Sequence, residues 1–298
     1  MPPSTGSQPI SGILSVDKGI GWTSHDVVAR VRGIAGQRQV GHAGTLDPAA
    51  TGLLLLVLGQ ATKLSSYLMT STKVYCGEVV LGVTTATDDA EAPLGEQRDL
   101  GSLSEAEIAA VLEKFHGTIE QTPPTYSAVH HKGQRLYELA RRGQEFTPPP
   151  RMVRIESIEA LCWNRPRLTL RIRCGSGTYI RALARDIGAA LGVGGYLHAL
   201  RRVASGGFTV DEAVSIDTLT NRREVERLSR PVDLAVADLP ALALSPSQGE
   251  DIIHGRPAAV EKSVRPGPVR LYAPGGELLA LGEVSENTVR PTRVFVGA

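Results

Sequence analysis

The sequence predicts a protein of the α+β class, and three observations lead to that fold class. Residues Arg167–Cys174 (RLTLRIRC) alternate between apolar and polar side chains, a period typical of a half-buried β-strand. Residues 178–191 follow a Gly-Ser-Gly turn and repeat apolar side chains at helical spacing. Predicted strands and helices also follow one another in mixed order, without the regular strand-helix-strand series of a parallel sheet.

Further elements are predicted along the first part of the chain. Gly12–Lys18 has the pattern of a strand, and Ser24 is predicted to cap a helix that ends at 33–36. The aliphatic run at 53–58 is short and bounded, as in a buried strand, and 74–83 has a similar character.

The clearest helix signal lies at 104–115. Ser104 and Glu107 have the spacing of a capping box, apolar side chains repeat on one face, and Gly117 follows the last apolar residue. We expect this helix to be structural.

A domain boundary is predicted at 230–240, where a proline-flanked stretch (RPVDLAVADLP) follows a charged, helix-like segment. Beyond it, 269–281 and 289–296 have the pattern of short strands around an Ala-Pro-Gly-Gly turn. The sequence therefore predicts two domains, residues 1–238 and 239–298, of which the second is small and mostly β.

The composition indicates a soluble protein of a reducing compartment. Among 298 residues there are 3 cysteines, without a CxxC pair, so neither a disulfide framework nor a thiolate zinc site is indicated. No apolar run reaches the length of a membrane span, and the N-terminus has neither the basic nor the apolar region of a signal peptide. We expect a cytoplasmic protein.

The net charge of +1 hides an asymmetry along the chain. Residues 130–202 contain 14 Lys and Arg against 5 Asp and Glu, and the rest of the chain is correspondingly acidic. One basic face of this kind can contact nucleic-acid phosphates while the whole protein stays near neutral. The alternative is that these charges form ordinary solvated faces.

The densest group of chemically capable residues lies at 41–52 (GHAGTLDPAATG), which combines flexible glycines with His42 and Asp47. It matches neither a P-loop nor a dinucleotide-binding fingerprint. An Asp-Pro pair also initiates ordinary turns, so a functional interpretation requires a second group that holds the carboxylate ionised and oriented.

Tyr179 and Arg181, at the start of the predicted 178–191 helix, are candidates for that second group, since arginine grips carboxylates and tyrosine can stack on a base or move a proton. Arg181 and Arg185 could equally form a solvated helix edge. The glycine-punctuated basic segment that contains Lys132 is suited to clamp a phosphate backbone.

Taken together, the motifs resemble the TruB family of tRNA pseudouridine synthases over most of the chain. The stretches that carry the resemblance are GILSVDKGIGWTSHDVV, GHAGTLDPAATGLLLLVLGQATKL, KVYCGEVVLGVTTATDDAEA, PPTYSAVHHKGQRLYELARRG, CGSGTYIRALARDIG and LRRVASGGF. The resemblance implies a mixed, largely antiparallel central sheet with flanking helices (the pseudouridine synthase fold). It also implies an RNA-clamping insertion at about 125–150 and a small, PUA-like C-terminal module.

The implied activity is isomerisation of the T-loop uridine of tRNA, position 55, to pseudouridine after base flipping. By the resemblance, Asp47 is the essential carboxylate, Arg181 its ion-pair partner, and Tyr179 the phenol nearest the sugar. No cofactor and no metal are expected, because the isomerisation neither oxidises nor hydrolyses the substrate.

The resemblance also implies a set of substrate-binding residues. Tyr75 would stack on the target base, Leu200 would line the pocket, and His42 would occupy the space that the base vacates in the RNA. Lys18 stands in a motif that usually continues with proline but here continues with glycine. Lys132 belongs to the clamping segment.

The expected partner is the T-arm of tRNA, without a membrane or an obligate protein partner, and a monomer is expected. Two alternatives stay open at the level of sequence. One is a non-catalytic tRNA-binding or folding-assistance protein on the same scaffold. The other is an aspartate-dependent hydrolase of a small molecule, in which the basic segment would have no role.

Overall fold

A computed structural model of the protein describes residues 8–124, 130–131, 134–135, 148–261 and 263–295. It confirms the predicted α+β class. Most of the predicted clamping insertion at 125–150, including Lys132, lies outside the described residues. None of the helices in the described ranges combines the length and the hydropathy that a membrane-spanning helix requires.

Two sheets and six α-helices make up most of the described chain. The strands of the large sheet and of two small hairpins are β1 (Gly12–Lys18), β2 (Val40–His42), β3 (Thr51–Leu58), β4 (Lys73–Leu81), β5 (Val83–Thr85), β6 (Leu94–Gln97), β7 (Gly117–Gln121), β8 (His130–His131), β9 (Gln134–Arg135), β10 (Arg151–Asn164), β11 (Arg167–Cys174), β12 (Gly195–Ser205), β13 (Phe208–Thr209) and β14 (Val214–Ser215). The second sheet contains β15 (Ala241–Ala243), β16 (Ala258–Ala259), β17 (Gly267–Tyr272), β18 (Leu278–Ser285) and β19 (Thr288–Val294). The helices are α1 (Ser24–Ala35), α2 (Ser65–Thr70), α3 (Glu105–Leu112), α4 (Ile180–Ala190), α5 (Arg222–Leu228) and α6 (Pro246–Ile253).

The large sheet runs in the order β14-β1-β3-β12-β4-β11-β10-β7, with β2 paired to β3 and β13 paired to β12. The β1–β14 and β3–β12 pairs are parallel, and the other pairs are antiparallel. The predicted mixed, largely antiparallel sheet is therefore confirmed. Its β3–β12 junction brings together two segments that are far apart in sequence.

β11 is buried on one face and exposed on the other, as its alternating sequence predicts. Its apolar residues are buried together with the apolar faces of α3 and α4, which include Ile108, Leu183 and Ile187. Its arginines point to the opposite face, where they are exposed. Burial of one face thus fixes the register of the central strand.

Three predicted boundaries need correction. The N-cap of α1 is Thr23, whose hydroxyl accepts a hydrogen bond from the Asp26 amide, and Ser24 is the first helical residue. The capping box of α3 is present, but the helix continues after Leu112 as a 3-10 turn. The predicted strand at 74–83 divides at Gly82, which has a left-handed φ of 87°.

The small, mostly β C-terminal module is confirmed as a five-stranded sheet in the order β15-β17-β18-β19-β16. It shares a hydrophobic cluster with the large sheet, because Leu281 and Phe295 belong to the same buried cluster as Leu53 and Leu55 of β3. The alternate residues of β3 face the cluster that contains α1. The domain division at residue 238 stays a prediction. The shared hydrophobic cluster contains residues from both predicted domains.

Candidate active site

Asp47 lies in the loop between β2 and β3, and this loop is anchored on both sides of the carboxylate. The Ser24 hydroxyl accepts a hydrogen bond from the Leu46 amide at 2.9 Å and donates one to the Leu46 carbonyl at 3.1 Å. On the other side, Lys18 Nζ lies 3.3 Å from the Pro48 carbonyl oxygen. The first residue of α1 and the last residue of β1 therefore fix the backbone that carries Asp47.

Lys18 lies beneath the loop and does not line the cavity described below. Its side chain is fully buried, and Nζ also donates to the carbonyls of Gly19 at 3.1 Å and Trp22 at 2.7 Å. Burial lowers the pKa of Lys18, while the nearby Asp47 carboxylate opposes that shift. The structure thus gives Lys18 a positioning role, and direct contact with a substrate stays a prediction.

Arg202 is a buried cation that sequence reasoning missed. Its guanidinium donates to the Leu53 carbonyl at 2.7 Å and to the Gly44 carbonyl at 3.1 Å. These hydrogen bonds tie the Asp47 loop to β12. Gly52 of β3 allows the two strands to lie close together, because a Cβ at Gly52 would lie 2.3 Å from the Arg202 carbonyl oxygen. The neighbouring Arg201 points outward to Asp17, so two adjacent arginines have opposite environments.

The Arg181 guanidinium connects Asp47 with a second carboxylate. Its Nε lies 3.0 Å from Asp47 Oδ2, and its Nη1 lies 3.2 Å from Asp89 Oδ2. Nη1 also donates to the Thr87 carbonyl at 3.3 Å. The Arg181 side chain is 8% exposed and that of Asp47 is 45% exposed, so a buried, oriented cation holds a carboxylate that stays accessible.

The acidic loop after β5 pairs with two arginines on one face of α4. Asp88 contacts Arg185 at 2.9 Å, and Asp89 contacts Arg181. Asp89 Oδ1 also accepts a hydrogen bond from the Glu91 amide at 3.0 Å, which fixes its carboxylate. The alternative that Arg181 and Arg185 form a solvated helix edge is therefore wrong.

Tyr179 is the N-cap residue of α4, and a buried glutamine holds its backbone. The Gln121 side chain accepts a hydrogen bond from the Tyr179 amide at 2.8 Å and donates one to the Tyr179 carbonyl at 3.1 Å. The Arg151 guanidinium lies over the Tyr179 ring, 4.6 Å from its centroid. The position of this ring is thus fixed from two sides.

Asp47, Tyr179 and Arg181 line a cavity of about 460 Å³, a volume within the range of small-molecule sites. Burial raises the pKa of the Tyr75 phenol, against the opposing effect of the Arg202 guanidinium, so Tyr75 is neutral at physiological pH. Of the predicted residues the cavity brings together Asp47, Tyr75, Tyr179, Arg181 and Leu200, and it adds Lys73, Arg151 and Arg202.

Lys73 is another wall residue that sequence reasoning missed. Its ammonium donates to the carbonyls of Leu68 at 3.3 Å and Ser71 at 2.6 Å, at the C-terminal end of α2. Burial lowers its pKa to about 8, and the positive charge of Arg202 adds to that shift. Lys73 thereby fixes the end of α2, whose residues Met69 and Thr70 also line the cavity.

His42 lies on β2 and is not among the cavity-lining residues. Burial lowers its pKa, and the charges of Arg202 and His25 add to the effect, so the ring is neutral near pH 7. Within the described ranges, Nδ1 has no hydrogen-bond partner. Those ranges also contain no cluster of three or more His, Cys, Asp or Glu side chains arranged to hold a metal ion.

Comparison with known protein families gives three consecutive matches. Residues 32–180 match the N-terminal domain of TruB family pseudouridylate synthases. Residues 181–237 match the tRNA pseudouridylate synthase B C-terminal domain, and residues 240–295 match the C-terminal region of pseudouridine synthase II TruB. Together the three matches include Asp47, Tyr179 and Arg181.

Individual relatives and solved structures agree with these matches. The chain is 43% identical to the tRNA pseudouridine synthase B of Thermobifida fusca over 96% of this chain and 99% of the relative, and 38% identical to that of Xanthomonas axonopodis pv. citri over 100% and 98%. An H/ACA RNP bound to a substrate RNA containing 2′-deoxyuridine has a similar chain, with a TM-score of 0.73 and 26% identity, over 96% of this chain and 85% of that one. This chain belongs to the TruB family of pseudouridylate synthases.

Proposed function

We propose that this protein converts the T-loop uridine of tRNA, position 55, to pseudouridine, and that Asp47 is the essential catalytic group. The observation that carries the proposal is the accessible Asp47 carboxylate, which buried Arg181 holds at the wall of a cavity of about 460 Å³. The relatives named tRNA pseudouridine synthase B support tRNA as the substrate.

The reaction breaks the C1′–N1 bond of the uridine, rotates the uracil, joins C5 to C1′ and moves the C5 proton to solvent while N1 gains a proton. Cleavage develops positive charge at C1′, so a carboxylate serves either as the nucleophile or as the stabilising counter-charge. Arg181 stabilises the negative charge of Asp47 and orients it. The product is an isomer of the substrate in which one proton has been exchanged with solvent, so the reaction has no net oxidation or reduction.

The remaining cavity residues have roles that fit this reaction. Tyr75 offers a ring on which the target base stacks, and Leu200 offers an apolar wall beside it. Tyr179 offers a phenol in the same cavity as Asp47, where it can accept or donate a proton near the sugar.

The substrate base must leave its loop before it can enter the cavity. Flipping costs a few kcal/mol, which stacking on Tyr75 and contacts to the RNA backbone offset. The basic excess of residues 130–202 supports such contacts, and Lys132 of the clamping segment belongs to it. In this proposal the His42 side chain, which lies outside the cavity, fills the space that the flipped base leaves in the T-arm. The protein acts as a cytoplasmic monomer in this proposal.

Mapping of pseudouridine in an unmodified tRNA transcript tests the proposal. We expect one pseudouridine for each tRNA, at position 55, and none in a transcript with cytidine at that position. Conversion at another uridine instead would contradict the T-loop assignment. Tight tRNA binding without conversion at any uridine would favour the non-catalytic tRNA-binding alternative.

A further inference from the structure

Four basic side chains line the cavity, and three of them have partners within the described chain. Arg181 is paired with carboxylates, and Arg202 and Lys73 donate to backbone carbonyls. Arg151 differs from them. Its Nε and Nη2 atoms are buried, and neither makes a hydrogen bond within the described ranges.

Arg151 is held in place by stacking and by its position in the sheet. It is the first residue of β10 and lies opposite Gln121 of β7, the residue that fixes the Tyr179 backbone. Its guanidinium covers the Tyr179 ring at 4.6 Å and lies 4.0 Å from where a Cβ on Gly177 would be. The guanidinium is therefore held beside the Tyr179 ring, while its Nε and Nη2 atoms make no hydrogen bond within the described ranges.

Buried donors without acceptors are unfavourable, and the arrival of an anion would relieve that cost. A guanidinium presents its donors as a planar fork that matches two phosphate oxygens, and the first turn of α4, without a side-chain cap at Tyr179, adds positive potential nearby. No hydrogen bond of the described chain to Nε or Nη2 opposes a small rotation of the Arg151 guanidinium toward the cavity.

We propose that Arg151 binds one of the two phosphodiesters that flank the target uridine and so positions the flipped nucleotide beside Tyr179 and Asp47. This inference rests on the proposed function, since it assumes that an RNA nucleotide occupies the cavity. Phosphate contacts of this kind fix the register of a nucleic acid without reading its sequence.

The test combines protein variants with charge-neutral RNA backbones. A T-arm hairpin is prepared unmodified, with a methylphosphonate 5′ of the target uridine, or with one 3′ of it. Binding and single-turnover conversion are measured for the wild type, Arg151→Gln, Arg151→Lys and the control Arg154→Gln. Arg154 lies on the same strand, carries the same charge and is exposed.

We expect Arg151→Gln to raise the Kd of the unmodified hairpin about 10- to 100-fold. In the hairpin whose methylphosphonate replaces the contacted phosphate, that contact is already lost, so Arg151→Gln should change Kd by at most about twofold. Arg151→Lys should lose less affinity on the unmodified hairpin, with the same dependence on that phosphate. Arg154→Gln should change Kd by at most about twofold on every hairpin. A melting temperature for each variant separates loss of contact from loss of fold.

The inference would be overturned if Arg151→Gln raised the Kd of each methylphosphonate hairpin by the same factor as that of the unmodified hairpin. It would also be overturned if a folded Arg151→Gln variant bound the unmodified hairpin with the wild-type Kd. The proposed function is tested separately by conversion of the unmodified hairpin by the wild type. If the wild type binds RNA without converting it, the comparison of Kd values still decides the role of Arg151. If the wild type does not bind the hairpin, both proposals fail.

Discussion

The Asp89 carboxylate lies 3.2 Å from Arg181 Nη1, at a different nitrogen from the one that contacts Asp47. One buried guanidinium is thus shared between an accessible carboxylate and a buried one. Asp89 is fixed in turn by the backbone of its own loop. The direction in which Arg181 presents Nε to Asp47 therefore depends on a residue that does not line the cavity.

Asp89→Asn should lower the rate of pseudouridine formation about 10- to 100-fold, because a small displacement of Arg181 misplaces Asp47. The affinity for tRNA should change by no more than about twofold. Single-turnover conversion and a separate binding measurement check these values. Asp99→Asn, at an exposed carboxylate, is the control. An Asp89→Asn rate equal to that of the control would show that Arg181 does not need its second partner.

The stability of the protein should depend on pH through Lys73. Its pKa is about 8 in the folded protein and near 10.5 when unfolded, so the unfolded state binds more protons between these values. Stability contributed by this site therefore rises as the pH increases from 8 towards 10.5. Relative to Lys73→Met, the wild type should gain about 2 kcal/mol of unfolding free energy between pH 7 and pH 9.5.

Urea denaturation of both proteins at the two pH values measures this difference. Loss of the Lys73 hydrogen bonds lowers the stability of the variant by the same amount at each pH, so only the change with pH reports the titration. Parallel pH profiles for the wild type and Lys73→Met would contradict a depressed pKa.

Gly52→Ala should destabilise the protein by about 3 kcal/mol. The residue has a φ of 99°, and a Cβ would lie 2.3 Å from the Arg202 carbonyl oxygen, so β3 and β12 would have to separate beside the Asp47 loop. Gly33→Ala is the matched control, because it lies in α1 with open space around its Cβ position. That substitution should be neutral or stabilising by up to about 1 kcal/mol. Equal effects of the two substitutions would contradict the close approach.

The C-terminal module should unfold together with the large sheet. Phe295 is buried in the cluster that also contains Leu53 and Leu55, directly behind the strand that follows Asp47. Phe295→Ala should therefore cost about 3 to 5 kcal/mol and shift one cooperative thermal transition. A separate early transition of the module, with the main transition unchanged, would show that the module is energetically independent.

Local patterns predicted much of the fold. The alternation of β11, the apolar spacing of α4 and the capping box at Ser104 and Glu107 are properties of neighbouring residues, and each is present in the structure. The cap of α1 was misplaced because Thr23 and Ser24 are adjacent and both suit that position. Local chemistry could not choose between them.

The site was predicted less completely, because its support comes from distant segments. Asp89 belongs to an acidic segment, and acidic segments are usually exposed to solvent. Only the packing of its loop against α4 shows that Asp89 contacts Arg181. Arg202 is buried, whereas Arg201 is partly exposed beside it, and the difference arises from the β3–β12 pairing. Lys73 carried no signal in its local sequence.

The most direct test of the proposed catalysis is single-turnover conversion of an unmodified tRNA transcript by Asp47→Asn, measured with its tRNA affinity. The substitution keeps the size of the side chain and removes its charge. We expect the rate to fall at least about a thousandfold while affinity stays within about threefold of the wild type. Conversion by Asp47→Asn at the wild-type rate would show that the carboxylate held by Arg181 is not the catalytic group.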